Sequence, residues 1–315
     1  MNQPPYDCIV VGAGPAGLSA ALFLARYRHR VLVFHHNTPR NLYSHGIHGF
    51  LGHDGILPTE LLERGRDEVR RYRGVVVEAC VVAAERADDE LFRLSVGQAG
   101  TAHPVGEQFY EARRLLLATG LRDVKPDCPG FAEFYGLSVF HCPDCDGFEV
   151  TDKRVAVLGS GKKTAGFTLN LLTWTDHLTL ITSGEPGDLT DEHRARLASF
   201  NIPVTDRRIA RLEGNTETGQ LERVCFTDGS TLECDALFFN LGTEPASNLH
   251  TMLGCRLDRE CGLVWIDEKQ QTSVPGVYAA GDLTPRSQLA VVAAAEGAMA
   301  GIQIHKSLLP AARQV

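Results

Sequence analysis

The chain has 315 residues, of which 43% are hydrophobic and 22% are charged, and its formal net charge is −8. This length suits about two domains of ordinary size. Because binding to nucleic acid or to a membrane surface needs clustered positive charge, we expect neither partner. The N-terminus lacks a basic segment followed by an apolar stretch, and no apolar run reaches the ~20 residues of a membrane span. The expected location is therefore cytoplasmic.

The first predicted elements are a strand, a glycine-rich turn and a helix. The strand is Asp7–Val11, the turn is Gly12–Gly17, the helix is Leu18–Arg26, and a second strand follows at Val31–Phe34. Glycines in a G-x-G-x-x-G turn let the backbone approach a pyrophosphate, and the helix N-terminus offers free N–H groups and a positive dipole end. The residues predicted to hold a dinucleotide here are Gly12, Gly14, Pro15, Ala16 and Gly17.

The segment after the second strand lacks the acidic residue that normally binds the ribose, about 20 positions after such a turn. His35 and His36 stand there instead, and His35 becomes the candidate cofactor contact. Arg40 and Asn41, just beyond, are candidates for contacts with the adenosine side of a cofactor. An ordinary polar loop is the alternative interpretation of these two residues.

The strand, turn, helix and strand occur a second time. Arg154–Leu158 and His177–Ile181 are predicted strands, with a turn at Gly159–Gly161 and a helix at Thr164–Leu172. An internal repeat of this kind predicts an α/β protein with two dinucleotide-binding, Rossmann-like, three-layer domains.

The remaining predicted elements complete the two halves. They are helices near Thr59–Tyr72 and Asp191–Phe200, a last helix ending near Leu308, and strands near Val75–Ala83, Phe92–Val96, Arg113–Thr119, Arg207–Arg211, Arg223–Phe226, Ala236–Asn240 and Gly276–Ala280. The turn Gly242–Pro245 is typical of a crossing between domains. We therefore predict a discontinuous FAD-binding domain of residues 1–121 and 246–315. Residues 122–245 form an inserted NAD(P)H-binding-like domain that carries a cysteine pair.

Gly281 and Asp282 follow the last predicted strand. They resemble the second FAD signature of disulfide oxidoreductase flavoproteins, in which the aspartate accepts a hydrogen bond from a ribityl hydroxyl. Gln288 and Leu289, at the start of the last helix, are candidate flavin neighbours. A simple turn aspartate is the alternative interpretation of Asp282.

Of the nine cysteines, only Cys142 and Cys145 form a C-x-x-C motif. Nine is an odd number and most of the cysteines are isolated, so a secreted disulfide framework is not expected. Two cysteines at this spacing can close a small disulfide, and a helix N-terminus stabilises the thiolate that exchanges with other disulfides. Asp146, directly after the pair, is the candidate general acid and base; a helix cap or a solvated acid is the alternative.

A structural zinc site is the competing interpretation of C-x-x-C. Such a site needs four ligands, normally from a second C-x-x-C or a spaced histidine pair. The sequence has no second C-x-x-C, and His141 is adjacent to the first cysteine rather than suitably spaced. His45, His48 and His53 could contribute in principle, but these loop histidines are more readily placed near a flavin or on the surface. We expect no metal and assign His48 as a candidate cofactor contact.

The order and spacing of these motifs resemble the low-molecular-weight thioredoxin reductases over nearly the whole chain. The shared motifs are GAGPAG, A-T-G at 118–120, C-x-x-C-D-G-F at 142–148, the second glycine turn, and A-G-D at 280–282. The resemblance implies FAD as the cofactor, with Thr119 and Gly120 in its site. It implies Cys145 as the flavin-facing thiol, Cys142 as the thiol that attacks a substrate disulfide, and Asp146 as the acid and base. It also implies a homodimer whose inserted domain rotates.

The second glycine turn departs from this family. Thr164 stands where glycine or alanine would pack, and Thr182, Ser183, Gly184 and Asp188 replace the arginines expected to bind the NADPH 2′-phosphate. Ordinary use of NAD(P)H is therefore doubtful, although Lys162 and Lys163 could hold another anion or simply face solvent. The sequence resembles a branch that lacks this signature. In that branch some members take electrons from ferredoxin or a second flavin, and others oxidise dithiols with O₂.

Three functions follow from these observations. The first is a disulfide reductase that passes electrons from FAD through the cysteine pair to a thioredoxin-like protein or a small disulfide. The second is a dithiol oxidase, in which a dithiol reduces the pair and the flavin is reoxidised by O₂. The third is a flavin-holding redox sensor without turnover.

Overall fold

The computed structural model describes residues 4–88, 91–97, 104–185 and 187–313. The strands are β1 (Tyr6–Val11), β2 (Val31–His35), β3 (Val75–Glu78), β4 (Cys80–Arg86), β5 (Phe92–Gly97), β6 (Pro104–Leu117), β7 (Leu121–Asp123), β8 (Val139–Phe140), β9 (Val155–Gly159), β10 (Leu178–Ile181), β11 (Val204–Thr205), β12 (Ile209–Asn215), β13 (Gln220–Phe226), β14 (Thr231–Glu233), β15 (Ala236–Asn240), β16 (Thr243–Pro245) and β17 (Val277–Ala279). The helices are α1 (Pro15–Arg26), α2 (Pro58–Arg71), α3 (Phe131–Phe134), α4 (Pro143–Asp146), α5 (Gly161–Asn170), α6 (Asp191–Ala198), α7 (Leu249–Met252) and α8 (Ala290–Leu308), with 3₁₀ turns at Phe148–Val150, Leu171–Thr173 and Ala311–Arg313. Within the described ranges, none of the helices combines the length and the apolar character that a membrane crossing requires.

The chain packs as two compact units. Unit 1 comprises residues 1–42, 50–122 and 245–315, and unit 2 comprises residues 43–49 and 123–244. The sequence prediction placed residues 43–49 in the first domain, whereas here they belong to unit 2. The reason is local packing, because the Tyr43 ring lies 6.0 Å from the Tyr135 ring and the Lys125 ammonium lies over both rings.

Unit 1 is built on a parallel sheet with the strand order β3-β2-β1-β6-β17. Side chains of β1 alternate between two cores, as expected for a strand covered on both faces. Cys8 and Val10 face the helices, while Ile9 and Val11 face the antiparallel strands β4 and β5. The predicted strand Val75–Ala83 is in fact two strands, since β3 pairs in parallel with β2 and β4 pairs antiparallel with β5.

Unit 2 repeats the same arrangement. Its five parallel strands have the order β11-β10-β9-β15-β8, and a separate antiparallel sheet has the order β12-β13-β14. In both units the strand that precedes the glycine-rich turn lies at the centre. This repetition confirms the predicted α/β class with two Rossmann-like sheets. The crossing segments β7 and β16 pair with each other as a two-stranded sheet.

Glycines allow α1 and α8 to pack backbone against backbone in unit 1. A Cβ at Gly297 would lie 1.9 Å from the Ala16 carbonyl oxygen. A Cβ at Gly301 would lie 2.9 Å from the Ala20 carbonyl oxygen. Neither position accommodates a larger residue unless the helices separate. Since α1 begins at the first glycine-rich turn, the packing of α8 fixes the position of that turn.

We expect Gly297→Ala to lower the free energy of unfolding by about 1–3 kcal/mol, because the added methyl group overpacks a backbone contact. Gly166→Ala is the matched control. Gly166 is exposed within α5 and a Cβ there meets nothing within 4 Å, so alanine should raise stability by roughly 0.5–1 kcal/mol. Chemical denaturation of both variants measures the difference, and equal effects would contradict the packing argument.

Candidate functional site

The first glycine-rich turn brings its backbone very close to neighbouring segments. Gly12 has φ +110°, and a Cβ there would lie 2.1 Å from the carbonyl oxygen of Ala118. A Cβ at Gly17 would lie 1.8 Å from the carbonyl oxygen of Gly12. A Cβ at Gly14 would meet no described atom within 4 Å. Gly12 and Gly17 therefore serve close packing, whereas Gly14 faces open space at the start of α1.

The N-terminus of α1 is available to an anion. Across the described residues no side-chain hydrogen bond caps this helix, and its first turn has no acidic residue. Pro15 occupies the first turn, where its missing N–H costs nothing, and Ala16 and Gly17 follow with free backbone donors. Because the positive end of the helix dipole adds to these donors, the site fits the pyrophosphate of a dinucleotide.

The ends of two further strands lie beside this turn. The Thr119 backbone nitrogen, after β6, is 3.2 Å from the position of a Cβ on Gly12. Gly281, after β17, has φ +78°, and a Cβ there would lie 2.9 Å from the Ala16 Cβ. Parallel neighbours end at the same edge of a sheet, so Thr119 and Gly281 lie beside the first glycine-rich turn and the start of α1, and their role as cofactor contacts stays a prediction.

The guanidinium of Arg40 connects three predicted cofactor contacts that are distant in sequence, namely Arg40 itself, Asp282 and Gln288. Arg40 Nη1 donates to Asp282 Oδ2 at 3.0 Å and to Gln288 Oε1 at 2.7 Å. Asn41 follows in the same loop and Leu289 caps the start of α8, and both are half-buried. The arrangement holds the Asp282 carboxylate in place at the edge where the sequence predicted a flavin.

His35 ends β2 with an unsatisfied ring nitrogen. Its Nδ1 is buried and has no hydrogen-bond partner among the described residues. Burial, and next the charge of Arg66, lower the pKa of His35 below its usual range. A neutral imidazole both donates and accepts hydrogen bonds, so it can bind a ribose hydroxyl where an acidic residue is more usual. The orphaned atom therefore fits the predicted cofactor contact.

The N-terminus of α5 in unit 2 is already occupied by a carboxylate of this chain. The Lys162 backbone N–H donates to Asp188 Oδ1 at 2.7 Å, and a Cβ at Gly161 would lie 2.0 Å from the same oxygen. Thr164, where glycine or alanine was expected, is buried and donates to the Ser160 carbonyl oxygen at 2.7 Å. The second turn therefore keeps the fold of a dinucleotide site while Asp188 stands where the pyrophosphate would bind.

The end of β10 has a different charge balance from the one that the sequence suggested. Thr182 donates to Asp206 Oδ1 at 2.8 Å, and Arg194 donates to the same carboxylate at 3.0 Å. Arg208, from the segment after β11, packs against Gly184, since a Cβ there would lie 2.9 Å from its Nε. Counting along the chain missed Arg208 because it reaches this place from another strand.

The cysteine pair lies at the start of a short helix in unit 2. Cys142 and Cys145 form a disulfide with their Cα atoms 5.2 Å apart. Cys142 is the N-cap of α4, and its carbonyl oxygen accepts from the N–H groups of Cys145 and Asp146 at 3.2 and 3.1 Å. Trp174 supports this turn, because a Cβ at Gly147 would lie 2.7 Å from its ring.

The other seven cysteines are free thiols. Desolvation raises the pKa of each, to about 11 for Cys128 and about 12 for Cys234, which favours the protonated thiol over the thiolate. Within the described ranges, no group of three or more His, Cys, Asp or Glu is arranged to hold a metal ion. Among the described cysteines, the pair at residues 142 and 145 is the one that forms a disulfide.

Asp146 belongs to a small cluster of charged residues that the sequence did not reveal. Burial, and next the charge of Glu149, raise the pKa of the Asp146 carboxyl to about 7, while His48 acts in the opposite direction. His48 Nε2 lies 3.4 Å from Glu149 Oε1. The sequence assigned His48 to the cofactor site; the structure places it beside Glu149 in unit 2. In the sequence, the only feature that could have pointed to this cluster was the three-residue spacing of Asp146 and Glu149.

A family model described as pyridine nucleotide-disulphide oxidoreductase matches residues 6–297. The thioredoxin reductase tcpT of Claviceps purpurea is 31% identical over 88% of this chain and 86% of its own length.

Two solved structures are also similar. The structure of HlmI is 35% identical with a TM-score of 0.89, and the match covers 98% of this chain and 94% of HlmI. A protein described as thioredoxin reductase TrxB of Bacillus anthracis is 33% identical with a TM-score of 0.87, over 96% of this chain and 98% of its own.

The raised pKa of Asp146 predicts the sign of a stability effect. An unfolded aspartate has its ordinary pKa of 3.8, whereas the folded carboxyl keeps its proton up to about pH 7. Its contribution to stability is therefore complete below pH 3.8 and is lost as the pH rises through 7. Because asparagine resembles the neutral acid, Asp146→Asn should be more stable than the wild type at pH 8, by roughly 2 kcal/mol.

Calorimetric melting of both proteins between pH 5 and pH 8 measures this difference. The stabilisation by asparagine should grow as the pH rises. Asp144→Asn, which removes an exposed carboxylate from the same helix, serves as the control and should show no such trend. A stability difference that is independent of pH would contradict the assignment.

Proposed function

This chain belongs to the pyridine nucleotide-disulphide oxidoreductase family, and from that premise we propose that it is an FAD-dependent thiol–disulfide oxidoreductase that does not draw its electrons from NAD(P)H. Its relatives make it a thioredoxin reductase-like disulfide oxidoreductase. One observation carries the proposed chemistry: the Cys142–Cys145 disulfide lies at the start of α4 with Asp146 on the same turn.

The residues of unit 1 fit FAD. The open N-terminus of α1 would bind the pyrophosphate, His35 the adenosine ribose, and Asp282, held by Arg40, a ribityl hydroxyl. When bound, FAD accepts or donates the two electrons that interconvert a disulfide and a dithiol. The proposed substrate is a thioredoxin-like protein or a small disulfide, because the named relatives are thioredoxin reductases.

The cysteine pair would act by thiol–disulfide exchange. Cys142, at the N-cap of α4, is the thiolate that attacks the substrate disulfide and forms a mixed disulfide. Cys145 then attacks Cys142, restores the internal disulfide and releases the second substrate thiol. Asp146 supplies and removes the protons, for which a pKa of about 7 is suitable.

The two glycine-rich turns differ in how readily they could bind a nucleotide, and this difference bears on the identity of the electron donor. An incoming nucleotide pyrophosphate would have to displace Asp188 from the N–H of Lys162 and overcome its negative charge. Among the described residues, no side chain caps α1 and its first turn contains no acidic residue. We therefore assign the chain to a branch of thioredoxin reductase-like proteins that lacks ordinary NADPH binding, with ferredoxin or a second flavin as the proposed donor. A homodimer remains a prediction from the resemblance.

The same carboxylate favours a second candidate function, a dithiol oxidase. If unit 2 does not bind NAD(P)H, electrons can enter from a substrate dithiol through Cys142 and Cys145 and leave from the flavin to O₂. In that direction each turnover converts one dithiol and one O₂ into one disulfide and one hydrogen peroxide. Formation of peroxide when a dithiol is added separates the oxidase from the reductase.

We expect purified protein to be yellow and its flavin absorbance near 450 nm to persist when NADPH or NADH is added without oxygen. Stopped-flow spectroscopy checks this, with dithionite and a dithiol as reductants that should bleach the flavin. Asp188→Ser frees the N-terminus of α5 and should bind NADPH about two- to fivefold more tightly by calorimetry, since a charge at a helix terminus contributes about 0.3–1 kcal/mol. Asp191→Asn is the matched control in α6. Fast bleaching of the wild type by NADPH would contradict the donor assignment.

We expect Cys142→Ser to lose at least about 100-fold in disulfide reduction or dithiol oxidation, because the hydroxyl that replaces the thiol cannot exchange with sulfur. The variant should retain its flavin, since Cys142 belongs to unit 2 and the predicted FAD contacts other than His48 belong to unit 1. Cys261→Ser, at an exposed free thiol, is the control and should keep wild-type rates. Unchanged turnover in Cys142→Ser would refute the role of the pair.

A further inference from the structure

We propose that Glu149 and His48 are positioning residues for Asp146 and form the path by which its carboxyl exchanges protons with solvent. This inference rests on the proposed function, because it requires Asp146 to exchange protons with the cysteine pair. It assigns a role in the proposed mechanism to two further residues. One of them, His48, comes from the segment 43–49, which lies far from Cys142 and Cys145 in sequence.

Glu149 is close to Asp146 along the chain and contacts His48. Glu149 lies three residues after Asp146, in the 3₁₀ turn that directly follows α4, so the two carboxyl groups occupy successive turns. One carboxylate oxygen, Oε1, lies 3.4 Å from His48 Nε2. The other oxygen, Oε2, is buried and has no hydrogen-bond partner among the described residues. A buried carboxylate oxygen without a donor is costly, so this oxygen is open to a donor that the described residues do not supply.

The outer end of this path reaches water. The side chains of Glu149 and His48 are 37% and 32% exposed, and Asp146 is also half-buried. His48 is held in unit 2 by its own segment, since Tyr43 packs against Tyr135 and its carbonyl oxygen lies against Gly136. The imidazole therefore stands at the end of the path that is open to solvent.

Glu149 and His48 act on Asp146 with opposite signs. The Glu149 carboxylate favours the protonated form of Asp146 and raises its pKa, while a positive charge on His48 lowers it. These are the charged side chains that act on Asp146 within the described residues. Removing one or the other should therefore move the protonation of Asp146 in opposite directions, which loss of packing alone would not do.

The proton count of the exchange reaction explains why such a path is needed. The dithiol loses two electrons and two protons, and the substrate disulfide gains both. Cys142 releases its proton to solvent and attacks as the thiolate; the substrate S–S bond breaks, and the leaving thiolate takes the proton of Asp146. Cys145 then gives its proton to the Asp146 carboxylate and attacks the Cys142 sulfur, and the second leaving thiolate takes that proton. Asp146 ends deprotonated, so one proton must return from solvent in each turnover.

The experiment uses flavin-loaded protein, reduced with dithionite and desalted without oxygen, in single turnovers with two disulfides at pH 5–9. Bis(2-hydroxyethyl) disulfide releases a basic thiolate that needs a proton, whereas 5,5′-dithiobis(2-nitrobenzoate) releases an acidic thiol that leaves as the anion. With bis(2-hydroxyethyl) disulfide, the exchange rate should fall at high pH, where Asp146 has lost its proton. Glu149→Gln should shift this fall in rate to lower pH and slow exchange at pH 8 at least about fivefold. His48→Gln should shift the fall in rate to higher pH. With the second disulfide both variants should react within about twofold of the wild type.

Two further variants serve as controls. Glu149→Asp keeps the charge and should retain most of the wild-type profile, so that a fall in rate caused by damaged packing is recognised. Asp152→Asn removes an exposed carboxylate three residues further along, at a positive φ that asparagine tolerates, and should change neither profile. Carbon NMR of the labelled Asp146 carboxyl, identified with Asp146→Asn, should show pKa shifts of the same signs.

The outcomes separate this inference from the proposed function. If Asp146→Asn reacts with both disulfides as the wild type does, Asp146 is not the acid and the proposed mechanism fails together with the relay. If Asp146 is required but Glu149→Gln and His48→Gln leave the profile unchanged, or move it in the same direction, only the relay is refuted. Opposite shifts confined to the disulfide with the basic leaving group support it.

Discussion

A helix leaves its first backbone N–H groups without partners inside the helix, and the three helix starts at this protein's candidate sites meet that constraint in different ways. At α1 the donors face open space beside Gly14. At α5 they are bound to the carboxylate of Asp188. At α4 the N-cap is Cys142, so the positive end of the helix lies at a sulfur atom. An open start suits a phosphate, a capped start excludes one, and a cysteine at the start stabilises a thiolate.

The two Rossmann-like sheets thus have the same order of strands but different chemistry. In both units the central strand leads into a tight glycine turn, which fixes where a nucleotide could bind. The choice between binding and exclusion depends on single side chains that enter from elsewhere. Asp188 approaches α5 from the loop before α6, and Arg40 approaches the end of β17 from the loop after β2. The surroundings of the two glycine-rich turns can therefore differ while the strand order of the sheets stays the same.

Local patterns predicted the parts of the protein that are set by neighbours in sequence. The glycine turns, the parallel strands, the final helix and the C-x-x-C motif each have a signal within a few residues, and the structure has them where the sequence placed them. Contacts between distant segments had no such signal. The contact of His48 with Glu149 depends on the course of residues 43–49, and Arg208 reaches Gly184 from the end of another strand. The predicted strand Val75–Ala83 contains one charged residue, Glu78, and this residue alone did not reveal that the segment divides into β3 and β4.

The contact between α1 and α8 also determines when unit 1 can be completed during synthesis. Ala16 lies against Gly297, so the first glycine-rich turn obtains its final support from a helix that is translated much later. Residues 123–244 of unit 2 leave the ribosome before that helix exists and contain both sheets of that unit. Since domains generally fold as they emerge, the inserted unit is expected to fold on the ribosome, while assembly of the first glycine turn into a rigid binding surface waits for α8.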